Sequence, residues 1–208
     1  MEGKPASEKR RGRPRAYDPD QALAQATETF WESGYAAASL DALSAATGMN
    51  RPSLYGAFGD KQALFQSAMK RYQDQARATM RVALGSPGTL RESLTRFYAA
   101  GLDLYLSGGP RGCFLIGAGL SQATADPAIR DTVAAGIHEL DAGLTLRLTL
   151  AQASGELAPS ADPPGLARVV SGILNALAVR ARLGESRIEL ETMAAAAVDL
   201  VCGPPASA

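Results

Sequence analysis

Apolar residues recur at spacings of three and four along most of this 208-residue chain, which is the repeat of amphipathic helices. The clearest stripe consists of Leu90, Leu94, Phe97, Gly101 and Leu104. Helix starts are marked by an acid before a proline at Asp18-Pro19, Asp126-Pro127 and Asp162-Pro163. No segment alternates convincingly between apolar and polar residues as a half-buried strand does. The pattern predicts an all-α fold.

Three helices are predicted near the N-terminus, of which the second and third are short. The first ends at Gly34, the second runs from a Ser39 cap to Gly48, and the third runs from an Asn50 cap to Gly59. Asp60 then opens a long fourth helix. A short bundle joined to a larger helical domain is therefore expected.

Two further segments bear on the larger domain. The run "CFLIGAGL" at 113–120 could be a buried strand by composition alone, but no strand partner lies nearby. We predict a helix interrupted by Gly117 and Gly119, because glycine weakens a helix interior by about 1 kcal/mol. Ser186 and Glu189 have the spacing of a capping box, which predicts the start of the last helix.

The second and third helices, joined by "TGMN", form a predicted helix-turn-helix. In that motif the second helix enters the DNA major groove with its N-terminal residues on base edges. Arg51 at this tip can bond O6 and N7 of guanine, and Pro52 is tolerated because the first helical N–H groups lack partners. Ser53 and Tyr55 offer hydroxyls to phosphate.

The distribution of charge both supports and opposes DNA binding. Residues 1–16 carry a local net charge of +4, whereas residues 17–70 carry −3, although the whole chain is neutral. The bases of "RRGRPR", which include Arg11, Arg13 and Arg15, fit a minor-groove arm. The alternative is a solvated tail that improves solubility. An acidic recognition module is unusual for a DNA-binding protein.

The segment "SLDALSAATGMNRPSLYGAFGDKQALF" resembles the DNA-binding motif of the tetracycline-repressor (TetR/AcrR) family of bacterial transcriptional regulators, and "ALAQATETFWESGYAAAS" is similar to its first helix and turn. The resemblance covers roughly residues 18 to 70. It implies phosphate contacts at Ser39, Ser53, Tyr55 and Lys61, and base reading at Asn50, Arg51 and Gly56. Many relatives have a bulky aromatic residue or histidine at position 56, so one base contact is expected to be absent here.

The resemblance also implies the domain plan and the partners. We expect a disordered basic arm at 1–16, a helix-turn-helix domain at 17–62, and an effector-binding and dimerisation domain at 63–208. The implied partners are double-stranded DNA with a palindromic operator, a small-molecule effector and a second copy of the chain. Outward-facing small residues support the homodimer independently: Gly172, Ala176, Ala195 and Ala197. Ordinary packing within one chain is the alternative.

Candidate effector-binding residues combine aromatic walls with polar tips. They are Phe97, Gly101, Tyr105, Cys113, Phe114 and His138. Each aromatic residue could equally belong to the core, and a single histidine is commonly a satisfied polar residue. Cys113 follows Arg111, a base that could lower the thiol pKa, so a thiol-reactive effector is one alternative. In the mechanism expected here, the effector pivots the fourth helix and changes the separation of paired recognition helices.

Several classes of protein are disfavoured. One histidine and two cysteines provide no recognisable nucleophile and base arrangement, and neither a P-loop nor CxxC or HExxH spacing is present. We therefore expect no enzyme activity, no metal and no cofactor. Without an apolar run of about 20 residues or a signal-peptide core, the chain is expected to be cytoplasmic and nucleoid-associated, with no membrane partner. A helical protein-interaction bundle without specific DNA binding remains the alternative.

Overall fold

Residues 17–204 are described by the structure, a computed structural model, and their regular elements are all helical. The nine α-helices are α1 Pro19–Ala37, α2 Leu40–Thr47, α3 Arg51–Phe58, α4 Lys61–Gly85, α5 Leu90–Leu106, α6 Leu120–Ala123, α7 Pro127–Ala153, α8 Pro163–Arg182 and α9 Arg187–Cys202. A π-helix at Leu115–Gly119 precedes α6. No strand occurs within this part of the chain, so the all-α prediction is confirmed.

The N-terminal bundle consists of α1, α2, α3 and the first turns of α4 around one apolar core. Phe30, Leu43, Leu54 and Leu64 are buried there, one from each helix. Polar side chains begin the helices, since Ser39, Asn50 and Asp60 each accept a hydrogen bond from a backbone N–H of the first turn. These caps satisfy N–H groups that the first turn of any helix leaves without partners.

The larger domain packs α5, α7, α8 and α9 around a second core. The predicted stripe on α5 is buried at Leu90, Leu94 and Phe97. At Gly101, an added Cβ would stand 2.5 Å from the terminal Cδ1 of Leu174 on α8, so the Leu174 side chain would have to move to admit it. Ala197 is buried as well, so the prediction that it faces outward is wrong.

The segment around the π-helix joins the two cores. Phe114, Leu115 and Ala118 are buried together with Phe65 and Met69 of α4, in the same cluster as the N-terminal bundle. The prediction of an interrupted helix is wrong in its detail, because Gly117 and Gly119 lie inside a continuous helical path that widens into a π-turn. An added Cβ at Gly119 would come within 2.9 Å of Met69 and 2.8 Å of Val133.

The predicted domain boundary between residues 62 and 63 falls inside the first turn of α4. This helix continues for 25 residues from the N-terminal bundle into the larger domain. One uninterrupted helix is therefore shared by both parts of the molecule.

Candidate DNA-binding and effector sites

The tip of α3 is exposed and held in place by its own cap. The Asn50 side chain accepts from the Ser53 backbone N–H at 2.9 Å, while Pro52 occupies the first turn, where it displaces no helical hydrogen bond. Leu54 is buried against the bundle, so the opposite face is turned to solvent. This exposed face presents Arg51, Pro52, Tyr55 and Gly56.

Arg51 forms an ion pair across the motif. Its Nη2 lies 2.6 Å from Oδ1 of Asp41 on α2, and both side chains are more than half exposed. Pairs this exposed contribute little to stability, typically between 0 and about 1 kcal/mol. The guanidinium can therefore exchange its carboxylate partner for a nucleic-acid acceptor at small cost.

The predicted phosphate-contacting residues flank this tip. Ser39 is exposed, and its Oγ accepts from the Ala42 backbone N–H at 3.0 Å. Lys61, the first residue of α4, places its Nζ 4.6 Å from the centre of the Tyr35 ring, and burial lowers its pKa. Its ammonium therefore lies at the positive end of a helix, where an anion is favoured.

Gly56 occupies an open position on α3. No atom beyond its own helix lies within 4 Å of where a Cβ would stand. The glycine is therefore not required by packing, and the absent side chain removes a potential contact from the exposed face. The arginines predicted to form a minor-groove arm, Arg11, Arg13 and Arg15, lie outside the described residues.

A cavity of about 570 Å³ opens between α4, α5, the π-helix, α7 and α8. This volume lies within the range typical of small-molecule sites. Its walls are mainly apolar. They include Ala76, Met80, Leu84, Leu104, Ile116, Ile137, Leu140, Leu146, Leu150 and Leu174.

Two of the predicted effector residues, Tyr105 and Cys113, line this cavity. Phe97 and Gly101 lie instead within the core of the larger domain, on the buried side of α5. Phe114 stacks edge-on against Tyr72 and Phe65 in the core that the N-terminal bundle shares. His138 is exposed on α7 and is not among the lining residues.

The surroundings of Cys113 differ from those expected. Burial raises the pKa of its thiol, which lies beside the hydroxyls of Tyr72 and Tyr105. Arg111 does not act on the thiol, because its guanidinium lies 4.3 Å from the centre of the Trp31 ring and pairs with Glu28. The expectation that Arg111 lowers this pKa is therefore wrong.

Sequence reasoning missed most polar residues at the cavity. Gln73, Arg77 and Arg81 come from α4, Glu139 from α7 and Asn175 from α8. A signal was present, since Gln73, Ala76, Arg77, Met80 and Leu84 repeat at helical spacing along one face of α4. That face mixes charged and apolar residues, which is also the pattern of an ordinary surface.

The loop before the π-helix ties the cavity wall to α1. Trp31 donates from Nε1 to the Gly112 carbonyl at 3.0 Å, and Arg182 of α8 donates to the Arg111 carbonyl at 3.0 Å. An added Cβ at Gly112 would collide with the Ala178 carbonyl oxygen, so the loop lies directly against α8. Two helices, α1 and α8, therefore meet at residues 111–113.

Two further findings on residues 17–204 concern membrane spans and metal sites. No helix among them combines the length and apolar character needed to cross a bilayer. Nor does this part of the chain contain a cluster of three or more histidine, cysteine, aspartate or glutamate residues that could hold a metal ion.

An exposed, capped recognition helix, joined by one long helix to a domain with an apolar cavity, defines a helix-turn-helix regulator. The family model "Bacterial regulatory proteins, tetR family" matches residues 22–68, and "Tetracyclin repressor-like, C-terminal domain" matches residues 91–197. The chain belongs to the tetR family of bacterial regulatory proteins. It is a ligand-responsive DNA-binding transcriptional regulator and not an enzyme.

Relatives support this membership along most of the chain. The HTH-type transcriptional repressor ComR of Escherichia coli (strain K12) is 32% identical over 188 residues, which cover 89% of this chain and 90% of ComR. The uncharacterized HTH-type transcriptional regulator YezE of Bacillus subtilis (strain 168) is 30% identical over 77% of this chain and 84% of YezE.

A solved structure gives the same relationship in three dimensions. The TetR family transcriptional regulator CifR, as a cysteine mutant complexed with 26-base-pair double-strand operator DNA, superposes with a TM-score of 0.84. It is 33% identical, and the match covers 91% of this chain and 100% of the CifR chain.

Proposed function

We propose that the chain is a dimeric repressor that leaves a palindromic operator when a small molecule occupies the cavity. The observation that carries this proposal is the course of α4. Its first turn follows α3 after only Gly59 and Asp60, and residues 72–85 of the same helix contribute to the cavity wall. A molecule in the cavity therefore contacts the element that supports the recognition helix.

Support for a dimer comes from apolar positions on the last two helices that remain partly or largely exposed in the described chain. Val169, Gly172, Ala176, Val179 and Leu183 repeat at spacings of three and four along one face of α8. On α9, Ile188 and Leu200 are each about three-quarters exposed. Such a face is typical of a helix-to-helix interface. Two-fold pairing would place the recognition helices about 34–36 Å apart, or a multiple of this distance.

Contacts with DNA are proposed residue by residue. We assign Asn50, Arg51 and Pro52 to the groove, and Ser39, Ser53, Tyr55 and Lys61 to phosphates. Exposure of the α3 tip and the cationic start of α4 support this assignment. ComR is named as a repressor and CifR was solved with operator DNA, which supports repression through an operator here. Such a regulator acts in the cytoplasm, at the nucleoid.

The effector acts by shifting a conformational equilibrium. It can change operator affinity only by as much as its own affinity differs between the DNA-binding and released conformations. Contacts of the π-helix with both the cavity and the N-terminal bundle support a conformational link.

The experiment begins with the purified chain and sheared DNA of the source genome. Retained fragments are sequenced to define an operator, and its affinity is measured by fluorescence anisotropy. Arg51→Ala is expected to weaken binding by about 1–3 kcal/mol and to relax selectivity at one operator position. Arg130→Ala, which also breaks an exposed arginine–aspartate pair, serves as the control and leaves binding unchanged.

Three results would contradict parts of the proposal. Retention of no defined sequence would favour an interaction bundle without specific DNA binding. Equal loss on all sequences would assign Arg51 to the phosphate backbone. A monomer at operator-binding concentrations in analytical ultracentrifugation would exclude the dimer.

The basic arm is tested separately. Deletion of residues 1–15 is expected to weaken binding and to reduce the slope of log affinity against log salt by about 0.9 for each lost phosphate contact. An unchanged slope would leave the arm as a solvated tail.

A further inference from the structure

Most charged side chains at the cavity already form ion pairs or hydrogen bonds with other residues of the protein. Arg77 donates to both carboxylate oxygens of Glu139, with a shortest distance of 2.6 Å. Arg147 donates to Ser93 Oγ at 3.1 Å and to the Gly88 carbonyl at 3.2 Å, and it lies 3.7 Å from Glu156. Both guanidiniums therefore already have partners within the protein, which a charged ligand would have to displace.

Arg81 is the remaining charged residue of the lining. It is exposed, and it forms no ion pair with any residue between 17 and 204. A charge at the rim acts through water and salt, where a pair contributes between 0 and about 1 kcal/mol. That is far less than the cost of moving an unpaired charge from water into an apolar interior.

Two neutral side chains keep hydrogen-bonding capacity at the cavity. The carboxamides of Gln73 on α4 and Asn175 on α8 line it, and neither makes a side-chain hydrogen bond within the described residues. Each carboxamide offers both a donor and an acceptor. The hydroxyls of Tyr72 and Tyr105 lie beside the Cys113 thiol, and these three residues add polar atoms to the same wall.

We infer that the cavity binds an uncharged, mainly apolar molecule that carries a hydroxyl or carbonyl group. This inference rests on the proposed effector role of the cavity and specifies its ligand class. The apolar walls take up the body of the molecule, while Gln73 and Asn175 pair with its polar group. An organic anion or cation of the same size should bind more weakly, because its charge would have to displace an existing partner or leave water without one.

The test uses N-phenyl-1-naphthylamine, which is neutral and fluoresces in apolar surroundings, beside 1-anilinonaphthalene-8-sulfonate, its sulfonated counterpart. The full chain without DNA is titrated with each. The neutral probe is expected to bind at one site per chain, and the sulfonate at least about tenfold more weakly, a difference of about 1.4 kcal/mol. Affinities are then measured by competition with the neutral probe. We expect 4-hydroxybiphenyl to bind most tightly, biphenyl less tightly and biphenyl-4-carboxylate most weakly.

Variants locate the binding. Gly143→Leu places a side chain at the cavity, where the added Cβ would have Leu84 as its nearest neighbour at 4.0 Å, and it should abolish probe binding. Leucine is the better helix former and Gly143 is exposed, so we expect this variant to fold. Ala135→Leu on the same helix is exposed and outside the cavity, and it should leave binding unchanged. Asn175→Leu should remove the advantage of 4-hydroxybiphenyl over biphenyl.

Carboxylate binding equal to or tighter than hydroxyl binding would overturn the inference, and so would the absence of binding by every probe. Probe binding that persists in Gly143→Leu would place the site elsewhere and also overturn it. If the ranking holds but no bound compound releases the operator, the ligand class stands and the proposed effector role fails.

Discussion

The indole Nε1 of Trp31 in α1 donates a 3.0 Å hydrogen bond to the backbone carbonyl of Gly112, which immediately precedes Cys113 in the cavity wall. Trp31 is almost completely buried, and its ring also contacts the guanidinium of Arg111 and the ring of Tyr72. One side chain of the DNA-binding bundle is thus bonded directly to the loop that borders the cavity.

Trp31→Phe is expected to lower the free energy of unfolding by about 1–3 kcal/mol, because the Gly112 carbonyl loses its indole donor inside the protein. It should also weaken the effect of cavity ligands on operator affinity, since it removes one connection between the two sites. Urea unfolding and operator binding with and without ligand measure these effects.

Tyr98→Phe provides the matched control. Its hydroxyl donates to the Val170 carbonyl at 3.1 Å, entirely within the larger domain. This variant should lose comparable stability while keeping the full ligand effect on DNA binding. An equal loss of ligand effect in both variants would show that the Trp31 bond has no special part in communication.

Asp41→Asn is expected to tighten operator binding several-fold at low salt, because it frees Arg51 and removes a carboxylate from the DNA-facing motif. Stability should fall by less than about 1 kcal/mol, given the exposure of both partners. Asp131→Asn removes the same charge from an arginine pair on α7 and should change affinity little. Weaker binding by Asp41→Asn would mean that Asp41 holds Arg51 in the orientation that DNA requires.

Substitution of two neighbouring glycines by alanine should have opposite effects. Gly56→Ala should stabilise the protein by about 0.5–1 kcal/mol, because Gly56 is helical and its Cβ position is open. Gly59→Ala should destabilise it by about 1–3 kcal/mol, because Gly59 has φ of +81° and ψ of −143°, a region that is nearly restricted to glycine, and its Cβ would lie 3.2 Å from that of Ala63. Urea midpoints decide the signs. Stabilisation by both substitutions would show that the backbone of the turn before α4 can adjust to accept a side chain at position 59.

Cys113 is expected to react slowly with iodoacetamide at pH 7, because burial raises its pKa and the thiolate is the reactive form. The rate should increase as the pH rises towards that raised pKa. Burial raises the pKa of Cys202 as well, so its thiol should also react slowly at pH 7, and both should react faster and alike in guanidinium. Peptide mass spectrometry follows each residue. Rapid modification of Cys113 at pH 7 would instead support a thiol-reactive effector.

The helix-turn-helix was predictable because its signals are local. Asn50 caps α3, Gly48 adopts the left-handed conformation at the end of α2, and Leu54 faces the core. Each depends on residues within a few positions, so short-range propensity and periodicity are sufficient to reveal them.

The cavity depends on relationships between distant residues, which periodicity does not contain. Gln73, Glu139 and Asn175 meet only after α4, α7 and α8 have packed together. Phe97 and Phe114 have the composition of a ligand-binding wall, but long-range packing places them in two separate cores. The π-helix was likewise not predictable from composition, because the close approach of Gly119 to Met69 and Val133 is a tertiary contact.

The length of α4 has a mechanical consequence. At 1.5 Å per residue, its 25 residues extend about 37 Å, and a tilt of about 5° around one end displaces the other by about 3 Å. A rigid tilt of α4 about its C-terminal end would therefore move Lys61 several times farther than it moves Met80. The rigidity of α4 would then contribute to regulation. A flexible residue near the middle of α4 would reduce the movement passed from the cavity to Lys61, although it would contact neither ligand nor DNA.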